Sequence, residues 1–281
     1  MILNVCKEQG MTSRDVVNII SKQLHTKKVG HTGTLDPLAT GVLIVCTHHD
    51  TKLVDILTAS TKEYVATMQL GLQTDTGDIT GNIINRASYN VTRQQIKDVL
   101  KTFLGDSIQR VPIYSAVKIN GKKLYEYARN NEEVTLPTRN IHISDIELLD
   151  FKDDIIRFKV TVSKGTYIRS LIEDIAFKLG TVGTMTALCR TKQGTFFLEN
   201  ANSIDDILND NYQEIPLLKV LSAYPVYELN DTEYHQVKNG AKITLNRDDK
   251  IITMVYNNKP IALYKQDNNI YRVYKMLEIQ S

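Results

Sequence analysis

Residues 30–46 read GHTGTLDPLATGVLIVC, and the way this stretch divides decides the fold. Gly41 to Cys46 is a short apolar run with β-branched residues, which reads as a buried strand. Ahead of it a glycine- and threonine-rich turn carries a single carboxylate, Asp36, directly before Pro37. The residue before a proline is pushed out of the α region, so Asp36 sits extended or at a turn. Gly30 and Gly33 let the preceding backbone bend closely. On these residues alone two readings stay open. Asp36 is a turn initiator, or it is a catalytic carboxylate on a rigid loop at the mouth of a buried strand.

Upstream of this stretch, Val16, Val17, Ile20 and Leu24 form one helical face, with Ser13 as its cap and Asp15 in its first turn. Downstream, 51–59 reads as a short helix, and Tyr64, Ala66, Met68, Leu70 and Leu72 alternate along one strand face. After the polar loop QTDTGDITG comes a strong helix signal. Thr92 and Gln95 make a capping box, Ile96, Val99, Leu100 and Phe103 the stripe, and Gly105 the stop. Phe158, Val160 and Val162 alternate in a half-buried strand that Lys164-Gly165 breaks. Leu171, Ile172, Ile175, Ala176 and Leu179 then take helical spacing up to Gly180, and Ser203 opens another short helix. From Tyr224 onward, short β-like runs at 250–256 and 260–264 are joined by Asn- and Asp-rich turns, with nothing more helical than a turn over 231–239. That tail of about 60 residues suits a small barrel. The irregular mixing of strands and helices upstream argues for α+β, not a doubly wound sheet.

The chain has 281 residues, 42% of them apolar, enough for a sizeable core. No apolar run approaches the roughly 20 residues of a membrane helix, and MILNVCKEQGM lacks the pattern of a signal peptide. Three widely spaced cysteines, Cys6, Cys46 and Cys189, argue against a disulfide framework or zinc site and for a reducing cytoplasm. The net charge of +2 neither demands nor excludes nucleic acid.

Other chemistry-bearing residues are scattered. Arg169, in 164-KGTYIRSLIEDI-175, is a cation at a helix start, where it opposes the macrodipole by roughly 0.3–1 kcal/mol. A carboxylate partner would offset that, Glu173 at i+4 being a local option. Tyr64 and Tyr167 are core tyrosines or stacking surfaces for an extruded base. His31 is a backbone-bonded loop histidine or a substrate contact. A glycosidase would need a second carboxylate, from Asp75 or Asp78. His48, His49 and Asp50 offer no third metal ligand at useful spacing, 74-TDTGDITG-81 lacks a full calcium set, and no G-x-S-x-G elbow occurs.

Together these stretches resemble the TruB family of tRNA pseudouridine-55 synthases. GHTGTLDPLATGVL matches the family's catalytic loop, followed in order by 62-KEY-64, 74-TDTGD-78, 112-PIYSAVKINGKKLYEYAR-129, 164-KGTYIRSL-171 and 188-LCRTKQGTF-196. The tail is similar to the family's small PUA-type RNA-binding barrel. One departure stands at the start, where the family usually has Asp-Lys-Pro-x-Gly and this chain has 6-CKEQG-10.

The resemblance implies an α+β catalytic domain over 1–221, built on a mixed, mainly antiparallel sheet with flanking helices. It implies an RNA-gripping insert at about 106–141 and a PUA-like domain over 222–281. It puts Asp36 on the catalytic aspartate, Arg169 on the arginine that pairs with it, and Tyr64 on the tyrosine stacked against the target base. Tyr167 and Leu188 fall on the site wall and His31 on an RNA-contacting histidine. Lys27, Lys28, Lys122, Lys123 and Arg129 are candidates for phosphate neutralisation. The implied reaction converts uridine 55 of the tRNA T-loop to pseudouridine after base flipping, in a cytoplasmic monomer with no cofactor and no metal. An RNA-binding protein without turnover and a nucleoside hydrolase or glycosylase are the competing readings.

Overall fold

The computed structural model describes residues 1–268 and 270–277. Nine strands form the central sheet: β1 (Ile2–Lys7), β2 (Val29–His31), β3 (Thr40–Thr47), β4 (Lys62–Leu70), β5 (Gly105–Arg110), β6 (Thr138–Lys152), β7 (Ile155–Val162), β8 (Gly183–Gln193) and β9 (Phe196–Phe197). Their order is β1-β3-β8-β4-β7-β6-β5, with β2 on β3 and β9 on β8. Pairing is antiparallel except between β3 and β8, so the sheet is mixed and mainly antiparallel.

The parallel junction rests on Thr40 opposite Cys189 and Gly41 opposite Arg190. Gly41 has φ +101°, and a Cβ there would overlap the Arg190 carbonyl, so only glycine lets these two strands meet. The unusual opening 6-CKEQG-10 does not interrupt β1, which pairs with β3 from Ile2 opposite Cys46 to Lys7 opposite Gly41.

Most expected elements are present, with shifts that have local causes. The first helix is Ser13–Gln23, but its cap is Thr12, whose hydroxyl accepts the Asp15 N–H while the Asp15 carboxylate accepts the Thr12 N–H. Ser13 turns inward instead, and its Oγ accepts the Leu35 N–H at 2.9 Å. The 51–59 segment is a 3-10 turn, His48–Leu53, running into a short α-helix, Val54–Thr58. β4 stops at Leu70 because Gly71 takes φ +76°, and Leu72–Thr74 pairs separately with Ile83–Arg86. The Thr92–Gln95 capping box opens the helix Arg93–Lys101, an arrangement worth about 1 kcal/mol.

Two apolar layers flank the sheet. On one face Tyr64, Ala66, Met68 and Leu70 of β4 pack with Ile96 and Leu100 and with Leu171, Ile172 and Ile175 of the helix Ile168–Lys178. On the other, Ile2, Val42, Ile44 and Cys46 share a core with Val220, Leu221, Leu263 and Leu277.

The C-terminal unit is a four-stranded sheet, β10 (Val226–Glu228), β11 (Ile251–Tyr256), β12 (Lys259–Asp267) and β13 (Ile270–Met276), consistent with a small PUA-like unit. Its ladders run β10-β11-β12-β13 and form no closed ring among the described residues. The turn expected over 231–239 is a helix, Asp231–Lys238, capped by an Asn230–Glu233 box. Its thin apolar face hid it from periodicity, whereas its cap sequence N-D-T-E was readable. No helix among the described residues is long and apolar enough to cross a membrane.

Candidate active site

Asp36 sits at the first position of a turn in which the Ala39 N–H donates to the Asp36 carbonyl at 3.0 Å, with Pro37 second. Turn initiator and outward carboxylate are therefore the same residue. The loop around it is tied down at every step. Leu35 and Ala39 are buried in the core. The Gln193 amide donates to Thr32 Oγ1 at 2.6 Å, and Arg190 Nη2 donates to the Gly33 carbonyl at 3.1 Å. The Pro37 carbonyl accepts the Gly10 N–H at 2.8 Å and Lys7 Nζ at 3.4 Å.

Arg169 Nε lies 2.9 Å from Asp36 Oδ2, and Nη2 lies 3.4 Å from Oδ1, a two-pronged pair. Two more of its donors go to the carbonyls of Thr76 and Tyr114, each at 2.9 Å. This offsets the unfavourable position of a cation at a helix start. Glu173 makes no ion pair with it. Exposure is asymmetric: the Arg169 side chain is 6% exposed and that of Asp36 34%. The carboxylate keeps an open side while its partner is hidden behind it.

That open side faces a cavity of about 640 Å³. Tyr64, Tyr167 and Leu188 form part of its wall, so the structure brings these three together with Asp36 and Arg169. Tyr64 is buried, with its hydroxyl 3.5 Å from Arg190 Nη1. Tyr167 is the N-cap residue of Ile168–Lys178, its ring 5.4 Å from the Arg139 guanidinium. Leu188 on β8 stands opposite Ala66 on β4. The charged lining residues are Lys62, Arg129, Lys164, Arg169 and Arg190 against Asp36 and Asp78, so the cavity carries an excess of positive charge.

Other expected residues lie elsewhere. His31 ends β2 and is not on the cavity wall; its Nδ1 accepts the Gly33 N–H at 3.4 Å. Burial, with Arg14 and Arg190 nearby, pushes its pKa below the ordinary histidine value. Lys27 and Lys28 are exposed just before β2, where the His48 N–H donates to the Lys28 carbonyl. They therefore stand at the far end of β3, about 20 Å from the Asp36 loop by strand rise. Lys122 is engaged by Glu132 at 2.5 Å, and Lys123 Nζ lies 3.1 Å from the Tyr125 hydroxyl. Arg129, over the Tyr125 ring at 5.3 Å, does line the cavity. Asp78 also lines it, but its Oδ1 accepts from the Thr80 N–H, the Thr80 hydroxyl and the Thr76 hydroxyl, so it is spent holding the 74–81 turn. No group of three metal-ligating side chains occurs among the described residues.

Four residues escaped the sequence reading. Arg190 is fully buried, with Nε on the Val42 carbonyl at 2.6 Å. Lys7 is fully buried, its ammonium on the carbonyls of Glu8, Met11 and Pro37. Gln109 takes the Tyr167 N–H on Oε1 at 2.8 Å and gives Nε2–H to the Tyr167 carbonyl at 3.0 Å, fixing the start of the Arg169 helix. Lys62 stands two residues before Tyr64, on the same inward face of β4. A cation at an inward strand position was the available signal for Arg190 and Lys62.

Comparison with known proteins agrees with this architecture. Residues 21–168 match the TruB family pseudouridylate synthase (N terminal domain). A tRNA pseudouridine synthase B of Clostridium tetani is 43% identical over 96% of this chain and 93% of its own length. One of Fusobacterium nucleatum is 43% identical over 98% of each. Among solved structures, a chain of an H/ACA RNP bound to a substrate RNA containing 2'-deoxyuridine superposes with a TM-score of 0.75 at 26% identity, covering 99% of this chain and 85% of that one. A chain of a Cbf5-Nop10-Gar1 complex gives 0.74 at 28%, over 98% and 84%. The match over more than half the chain, and the likeness of these relatives from end to end, mean that the chain belongs to the TruB family of pseudouridylate synthases.

Proposed function

We propose that this protein isomerises uridine to pseudouridine at position 55 in the T-loop of tRNA, with Asp36 as the one catalytic carboxylate. The observation that carries this is the Asp36–Arg169 pair, open to solvent on the carboxylate side only, at the wall of a net-positive cavity lined by tyrosines. The relatives' tRNA substrate supports the choice of RNA.

The reaction breaks the bond from ribose C1′ to N1 and forms one from C1′ to C5. N1 gains a proton and C5 loses one, so atoms and electrons balance with no redox partner. Asp36 attacks the ribose or base, or removes a ribose proton; each route needs an ionised oxygen at a fixed place. A carboxylate in a site dry enough to retain free uracil stays charged only when a cation offsets its lost water, and Arg169 does so from behind. Unstacking the target base costs a few kcal/mol. Stacking on Tyr64 returns roughly 1–3 kcal/mol, and Tyr167 and Leu188 bound the space in which the detached ring turns.

Arg129 is the basic residue of the insert that meets the cavity, and Lys122 and Lys123 directly precede the short helix that it ends. Lys27, Lys28 and His31 are assigned to RNA contacts away from the reacting base. The catalytic unit spans 1–221, with the insert at about 106–141, and the PUA-like unit 222–281. The proposed acting species is a monomer. Cys6, Cys46 and Cys189 are free thiols, which suits the cytoplasm.

Incubating a T-arm stem-loop with the protein tests the reading. Conversion of the target uridine without a mass change is expected; unchanged RNA would point to binding alone, and released uracil to a glycosylase. Asp36→Asn should abolish conversion and keep RNA binding, and normal turnover by that variant would remove Asp36 from the chemistry.

A further inference from the structure

Lys62 is a buried cation for which the fold provides no negative partner. It pairs with Val162 of β7 on one side and Gln193 of β8 on the other, and its side chain reaches the cavity wall. Its ammonium donates to the Thr58 carbonyl at 2.5 Å and the Ser60 carbonyl at 2.7 Å. An ammonium has three donors, and the third has no partner among the described residues. Lys7 shows the contrast. Equally buried, but off the cavity wall, it places its ammonium on three carbonyls.

Among the described residues no carboxylate lies within ion-pair distance of Lys62. Burial first, and then the two cations Arg190 and Lys164, push its pKa down to about 8. Closing the 54–58 turn requires only a neutral donor. Keeping a charged one there, against two like charges and at a cavity wall, is costly unless an anion arrives.

We propose that Lys62 binds one of the two phosphates flanking the extruded uridine. The alternation of β4 puts Lys62 and Tyr64 on one face, about 7 Å apart along the strand. A nucleotide whose base lies on Tyr64 thus presents its backbone to Lys62, and Arg190 and Lys164 add to the same positive wall. This rests on the proposed RNA substrate.

The experiment uses T-arm stem-loops with a single neutral methylphosphonate on the 5′ or the 3′ side of the target uridine, assayed with the wild type, Lys62→Gln and Lys62→Arg. Gln keeps a donor for the Thr58 and Ser60 carbonyls and loses the charge; Arg keeps the charge. Lys62→Gln should bind unmodified RNA on the order of tenfold more weakly. Its plot of log affinity against log salt should be shallower by about 0.7, with Lys62→Arg close to the wild type. One of the two methylphosphonates should weaken the wild type by a similar factor and leave Lys62→Gln no weaker than it already is. The proposal is overturned if neither methylphosphonate weakens wild-type binding, a result that needs no variant to fold. It is also overturned if the losses from Lys62→Gln and each methylphosphonate multiply in full, or if the salt slope does not change. Wild-type conversion of unmodified RNA separates the two readings: with conversion intact only the Lys62 assignment falls, and with neither binding nor conversion both fall.

Discussion

At the residue scale, the proposed site divides labour between an exposed anion and a hidden cation. Arg169 supplies charge, a two-pronged fit and two carbonyl contacts at once. Lysine would keep only the charge. Arg169→Lys is therefore expected to lower the single-turnover rate roughly 10- to 100-fold, since charge-assisted bonds contribute about 1.5–3 kcal/mol, while RNA affinity changes little. An unaltered rate would show that charge alone is enough. The buried lysines give a pH signature. Burial pushes both Lys7 and Lys62 from 10.5 down to about 8. The folded values lie below the unfolded one, so between 8 and 10.5 the unfolded chain holds more protons and stability rises with pH; the burial cost is fully present below 8. Above about 9 the raised Cys46 thiol acts in the opposite direction. The melting temperature should climb from pH 7.5 to 9, and climb less in Lys62→Gln; a fall over that window would contradict the burial of these ammonium groups. Asp36, Tyr64 and Arg169 were legible because each was odd where it stood or matched a motif. Gln109 was not, because it holds the backbone of Tyr167, which only tertiary contact brings near, and Lys7 was not, because two of its carbonyls are local but its burial against the Pro37 loop is not.

At the scale of elements, local chemistry predicted types better than ends. Thr92–Gln95 and Ser203 were readable because a cap is a contact between residues three apart. The cap at Thr12 was misplaced by one residue because Ser13 is an equally good capping type, and only its bond to Leu35, 22 residues away, decides between them. The turn before Arg169 shows the same dependence. Tyr167 caps its helix without a side-chain bond, and the amide of Gln109 on β5 serves its backbone instead. Gln109→Ala should cost about 1–3 kcal/mol in denaturant unfolding, with a larger loss of turnover than distance from the cavity suggests, because the Arg169 helix start loosens. Full activity in that variant would show that Asp36 and the Thr76 and Tyr114 carbonyls fix Arg169 without help from Gln109.

At the scale of the molecule, the α+β class was readable from the irregular order of elements and the mainly antiparallel sheet from the family resemblance, whereas strand order was not readable locally, since nothing local tells β3 to seek β8. The C-terminal unit is less separate than its change of composition implied. Leu263 and Leu277 bury against Val42, Ile44 and Leu53 of the catalytic part. Leu263→Ala should cost about 2–5 kcal/mol and shift a single thermal transition of the whole chain. Two resolved transitions, with only one of them moved, would mean that the units unfold independently.

The meeting of β3 with β8 has a consequence for synthesis on the ribosome. Thr40 and Gly41 wait for Cys189 and Arg190, while β2 covers only Val45–Thr47 on that side, so the start of this border of β3 stays bare while the intervening polypeptide is made. A bare strand border is an aggregation hazard. Nascent chains arrested before residue 183 should be cut by protease within 40–43 and should recruit chaperones, and release of the 183–193 segment should end both. Equal resistance at every arrest length would mean that another part of the chain shields β3 first. The cavity wall, to which Leu188 and Arg190 contribute, and the protection from premature clumping would then be completed by the same late segment.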